Sequence, residues 1–301
     1  MASAEVNTRP QPMFWKHVAQ WVRTIPPTAL LSMVGPLILC IVGYLGWRYY
    51  GAPRLDRAYY GLKLNNIHVT PQPKWLRGTN VLSEVFEQSA LDKLSLLDIQ
   101  TPTVLARVFN AHPSVRETRR VQRTAGQIMI DLEYRTPVAM VCYQVKDKSG
   151  SDSEVYLPVD SEGVLLGTKN FTVDDVPQYI SIYPGSVTLS EKLVDGKPIG
   201  DSRVDEAVRL CTLLLPLKEE AKIGRIYVYK ALQSGKPKWL LEIETRSGPR
   251  IKWGSAPGVE SIGELSAATK LQQLIAIASD SKLWSQEQID LSGTGKIPLP
   301  Q

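Results

Sequence analysis

Residues 112–141, HPSVRETRRVQRTAGQIMIDLEYRTPVAMV, hold the pattern from which the rest of the chain can be read. Ile128, Ile130 and Leu132 alternate with Met129, Asp131 and Glu133, which is the period-two pattern of a half-buried strand over residues 127–134. Residues 115–123 predict a second strand, and Thr124-Ala125-Gly126 is the turn between the two. Moving towards the amino terminus, Thr101-Pro102 opens a helix. Thr101 is its expected cap, Pro102 takes the first helical position, and Val104, Leu105, Val108 and Phe109 form its apolar stripe. Residues 79–91 predict an earlier helix capped by Thr79, with Leu82, Val85 and Phe86 on one face. Residues 64–70, LNNIHVT, read as a short strand that Pro71 and Pro73 terminate. The order is strand, helix, helix, strand, strand.

Further towards the amino terminus lies TALLSMVGPLILCIVGYLGW, residues 28–47, which has no acid or base and lies between Arg23 and Arg48. A helix of about 20 residues at ~1.5 Å each spans roughly 30 Å, the thickness of the hydrocarbon layer. The expectation is therefore an uncleaved single transmembrane helix. A buried core helix and a cleaved signal peptide are the alternatives. On this reading residues 1–27 are a cytoplasmic tail, 28–47 the span and 48–63 a juxtamembrane linker. Lys and Arg are nearly balanced across the span, so the placement of the large remainder outside the cytoplasm rests on how a first span with a short leading tail usually inserts.

Towards the carboxy terminus, residues 157–165, LPVDSEGVL, put a turn at Asp160 to Gly163 between two apolar strand ends, with Gly163 at positive φ. Residues 202–215 form an amphipathic helix. Its capping pair is Ser202 with Asp205, and its stripe runs through Val204, Ala207, Val208, Cys211, Leu214 and Leu215. Strands are expected at 223–231, 238–245 and 250–253, a helix at 261–278, and a closing pair of strands at 288–291 and 296–299. The fold class is α+β: the span, a β-α-α-β-β unit over residues 64–135, and a larger mixed-sheet domain with two helices over residues 136–299.

Composition narrows the chemistry. The net charge is +5 with 22% charged residues. Bases are interleaved with acids, as in Arg116-Glu117 and Lys218-Glu219-Glu220, so no stripe for nucleic acid emerges. Three Cys and three His have no metal-ligand spacing. Cys142 and Cys211 sit among apolar residues and read as buried thiols, with a disulfide as the alternative. No nucleophile elbow or phosphate-binding loop occurs, and His17, His68 and His112 have no clustered nucleophile. Asp174-Asp175 is an adjacent pair whose side chains diverge. The expectation is a protein that is not an enzyme, with no cofactor, metal or small-molecule substrate.

Residues 112–141 resemble the end of the POTRA domain in the bacterial cell-division proteins FtsQ and DivIB. The resemblance rests on Pro113 and Val115, Val121 and Arg123, the alternating strand ending in Glu133, then Arg135 and Pro137-Val138-Ala139. It extends over residues 28–299 through the Asp160 to Gly163 hairpin, Trp239 to Glu244, Gly248, Ile251-Lys252-Trp253-Gly254, Lys270 and Ile289-Asp290-Leu291. The chain departs from the pattern at Ser292-Gly293, where the family often has Arg-Tyr. The resemblance implies a non-enzymatic scaffold of the division machinery, in the inner membrane at the septum, that helps position septal peptidoglycan synthesis. It implies FtsB-like and FtsL-like membrane partners, captured by strand addition at the last strands. Carried over by position, the binding residues are Gln288, Ile289, Asp290 and Leu291 with Lys296, Ile297 and Leu299. The alternative is a POTRA-bearing component of a polypeptide secretion or transport assembly.

Overall fold

The structure is a computed structural model that describes residues 27–52, 54, 59–124, 126–146, 152–185, 193–233, 236–246, 248–280, 284–285 and 287–293. Helix α1, Pro27–Gly46, covers the apolar stretch. Leu37, Leu39 and Val42 on it are each at least 60% exposed, and among the described residues none of α1 belongs to either hydrophobic core. The expected transmembrane helix is not shown: among the described residues no helix is long and apolar enough to cross a membrane. Gly35, Pro36, Gly43 and Gly46 dilute the apolar character of α1.

The first core forms around β1 (Ile67–Val69), α2 (Val81–Gln88), α3 (Thr101–Asn110), β2 (Val115–Thr124) and β3 (Gln127–Tyr134). The strands lie in the order β1-β3-β2. β3 is central, parallel to β1 and antiparallel to β2. The alternation in β3 sends Ile128, Ile130 and Leu132 onto Val81, Val85, Leu105 and Phe109, while Met129 and Asp131 face outward. Burying each such side chain contributes about 1.5–3 kcal/mol. The caps differ from expectation by one residue. Asn80 caps α2, its side chain accepting from the Ser83 N–H, because it is Asn80 that holds the extended backbone next to the first turn. Gln100 is the N-cap of α3, and the Thr101 hydroxyl donates instead to the Ser95 carbonyl at 2.6 Å.

The second unit comprises β4 (Ala139–Lys146), β5 (Asp152–Val159), β6 (Ile180–Tyr183), α4 (Ser202–Leu214), β7 (Ile223–Gln233), β8 (Lys236–Thr245), β9 (Arg250–Gly254), α5 (Ala267–Ser279) and β10 (Gln288–Asp290). Its seven strands run β10-β9-β8-β7-β6-β4-β5 with mixed parallel and antiparallel neighbours. The apolar stripes of α4 and α5 pack with Ile226, Leu241, Ile243, Ile251 and Trp253 in one core. Asp201, not the Ser202 and Asp205 pair, caps α4 by accepting from the Arg203 N–H. α5 starts at Ala267, later than expected, because Gly263 adopts φ +85° and Ser266 provides the cap. Gly163 does adopt a positive φ, +72°. Cys142 and Cys211 are buried and free.

The two units meet through ion pairs and one ring stack. Arg135 reaches Asp160 at 2.5 Å, Arg116 reaches Glu162 at 2.7 Å, and Lys169 reaches Glu84 at 2.6 Å. Trp75 stacks on Phe171 with centroids 5.6 Å apart.

Candidate partner-binding edge

β10 is the outermost strand at one end of the seven-stranded sheet. It runs parallel to β9, with Gln288 opposite Arg250, Ile289 opposite Ile251 and Asp290 opposite Lys252. The Glu287 carbonyl accepts from Arg250 at 3.0 Å, and the Leu291 N–H donates to the Lys252 carbonyl at 2.9 Å. In a parallel ladder the residue between those two contacts, Ile289, also turns its main-chain groups towards β9. The N–H and C=O of Gln288 and Asp290 therefore point away from the sheet.

Side chains divide the same way. Ile289 and Leu291 are buried in the core, so they anchor the strand and are not available to a partner. Gln288 is exposed and Asp290 half-buried. Asp290 accepts from Lys252 Nζ at 3.2 Å, from the Ser292 N–H at 2.8 Å and from the Ser292 hydroxyl at 2.5 Å. Burial pushes its carboxyl up, but these hydrogen bonds outweigh burial and hold it below the usual range. Ser292-Gly293 thus forms a tight turn that ends the strand. Gly293 has φ +85°, and a Cβ there would lie 3.0 Å from Leu265 Cγ. Lys296, Ile297 and Leu299, with the strand expected to contain them, lie outside the described residues.

What holds this end of the sheet is a buried ion pair that the sequence reading only half anticipated. Lys270 on α5 is fully buried and donates to Glu264 Oε1 at 2.6 Å and to the Trp253 carbonyl at 2.8 Å. Its ammonium lies 5.3 Å from the centroid of the Trp253 ring. Burial alone would raise the Glu264 carboxyl, yet donors from Lys270, Ser255 and Ser261 bring it down to about 2. Lys270 stood out in the family pattern, whereas Glu264 lies in a loop with no periodicity to mark it. A cavity of about 290 Å³ is lined by Leu232 of β7, Leu240 of β8, Lys252 of β9, Ile262 and Ser292.

His68 is exposed on β1. His112 is buried, 3.3 Å from Glu84 through Nε2, with Nδ1 accepting from the Ser114 N–H at 3.2 Å. Burial lowers its pKa, against the raising effect of Glu84. Asp175 closes a capping box with Thr172. His17 lies outside the described residues. Among the described residues no group of three or more His, Cys, Asp or Glu is placed to hold a metal. No family model and no curated protein matches the chain.

Proposed function

We propose that this protein is a non-catalytic recruitment module that captures an extended segment of a partner chain along β10. One observation carries the reading: β10 is locked into the core by Ile289 and Leu291, while the main-chain donors and acceptors of Gln288 and Asp290 face outward with no further described strand beside them. Such an edge suits strand addition, in which main-chain bonds give affinity and neighbouring pockets select side chains. The resemblance to FtsQ and DivIB supplies the biological setting: FtsB-like and FtsL-like partners at the division septum, with the seven-stranded unit outside the cytoplasm, helping to position septal peptidoglycan synthesis.

Gln288→Pro tests this directly. It removes one outward N–H while leaving the β9 ladder bonds intact. The expected result is at least about a tenfold loss of affinity for a purified FtsB-like partner, the scale of a main-chain hydrogen bond lost with its partner left unsatisfied, together with an unchanged thermal midpoint. Gln288→Ala should bind normally. Equal capture of the partner by the proline variant would rule out β10 as the docking edge.

A further inference from the structure

At the opposite end of the strand order from β10, a groove of about 360 Å³ opens where β5, β6 and β7 meet the segment before β6. It is lined by Tyr156, Tyr179 and Tyr183 and by Val173, Val176 and Pro177. Arg225 and Arg246 line it too. Their placement has a local cause. β7 carries a register shift between Ile223 and Arg225, and a bulge of this kind re-aims the side chain that follows it. Gly224 at that shift leaves room for Arg246, since a Cβ there would lie 3.2 Å from Arg246 Cγ.

Both arginines are held loosely by carboxylates already engaged elsewhere. Arg225 lies 3.7 Å from Glu244, which takes the Tyr227 hydroxyl at 2.7 Å. Arg246 lies 3.4 Å from Glu219, which sits closer to Lys218, at 2.8 Å. By contrast, Arg119 meets Glu133 at 2.5 Å and Arg116 meets Glu162 at 2.7 Å. The Arg225 guanidinium is oriented over the Tyr183 ring, 5.6 Å from its centroid, and the Arg246 guanidinium by the Pro177 carbonyl at 3.0 Å. Each guanidinium carries five donors in a planar fork, so each retains N–H groups for a carboxylate. Val173, 73% exposed, adds an apolar contact directly beside them.

We infer that this groove binds an acidic peptide segment, with a carboxylate held between Arg225 and Arg246 and a neighbouring aliphatic side chain resting on Val173, Val176 and Pro177. The paired cations select the charge, and the apolar lining selects a residue such as Leu or Val next to it. Free inorganic anions satisfy only the first requirement.

Isothermal titration of the full-length chain with the peptide acetyl-Leu-Glu-Leu-Glu-amide, with its Gln-for-Glu counterpart and with inorganic phosphate separates these possibilities. The acidic peptide should bind at least about tenfold tighter than the Gln peptide, as expected for charge-assisted bidentate pairing, and should weaken as salt is raised. Arg225→Gln should remove most of that preference. Val173→Asp, at an exposed position that leaves the fold undisturbed, should weaken the acidic peptide by a similar factor through repulsion. Gln288→Pro should leave all three titrations unchanged, so this site stands or falls separately from the β10 edge. Equal binding of the two peptides, phosphate binding as tight as the acidic peptide, or retention of the preference in both Arg225→Gln and Val173→Asp would overturn the assignment.

Discussion

The outer strands β2 and β10 meet the same hazard in opposite ways. β2 is the longer, running from Val115 to Thr124 at the edge of the three-stranded sheet. It is interrupted by register shifts between Val115 and Glu117 and between Thr118 and Arg120, and it carries Arg116 and Arg119 on its exposed surface. Bulges and charges of this sort discourage pairing with another chain. β10 has only three residues and no register shift against β9. Its length, not its chemistry, limits unwanted pairing, and that leaves a short regular template for one specific strand. On the proposed reading, the longest exposed edge is the protected one and the shorter edge is the one that binds.

The largest test of this contrast is to weaken the support under β10. Lys270→Ala removes the nearest cation from Glu264, leaving Lys238 at 3.9 Å and the Ser255 and Ser261 N–H donors. Losing one partner of a buried pair costs up to about 3–5 kcal/mol, read as a lowered urea midpoint. Lys270→Met combined with Glu264→Leu should recover much of that loss. A small effect from the single variant would mean the β10 end does not depend on this pair.

Acid should act at the same place. The Glu264 carboxyl is lowered from its ordinary 4.5 to about 2 in the folded protein. A carboxyl depressed by folding contributes stability that is fully present above its unfolded pKa, and that contribution is lost as pH falls towards the folded one. The lowered Asp290 pKa works in the same direction. Thermal midpoints should therefore drop between about pH 4.5 and pH 2, and Glu264→Gln should flatten that part of the profile while lowering the midpoint at pH 7.

Gly293→Ala probes the turn that ends β10. Positive φ and the close approach of Leu265 should together make it cost about 1–2 kcal/mol. Partner capture should weaken with it if the turn sets the strand's length. At the small end, Arg119→Ala on β2 should leave both the melting midpoint and partner capture unchanged, because its ion pairs are exposed. A loss of partner binding in that variant would shift the docking edge from β10 to β2.

Much of the fold was legible wherever one face of an element is apolar. The alternation of Ile128, Ile130 and Leu132 placed β3 at its observed bounds, and the stripe through Val204, Val208 and Cys211 placed α4. The caps of α2 and α4 were each missed by one position, because adjacent polar residues compete for the cap and backbone geometry decides between them. Four of the expected partner-binding residues fall on β10 or directly after it, but their roles divide. Ile289 and Leu291 serve the core, and only Gln288 and Asp290 turn main-chain groups outward.

Taken by itself, the order of residues determined the local periods: which segments are strands or helices, where glycine permits a turn, and that an apolar run precedes the folded units. Only the tertiary structure decided that β10 pairs parallel with β9 at the end of the sheet, that Lys270 meets Glu264, and that Arg225 and Arg246 share one groove with three tyrosines. It also decided that no described helix is long and apolar enough to cross a membrane. Periodicity is set by bonds between near neighbours and leaves its mark in sequence, whereas edges, buried pairs and grooves arise from contacts between distant segments and leave none.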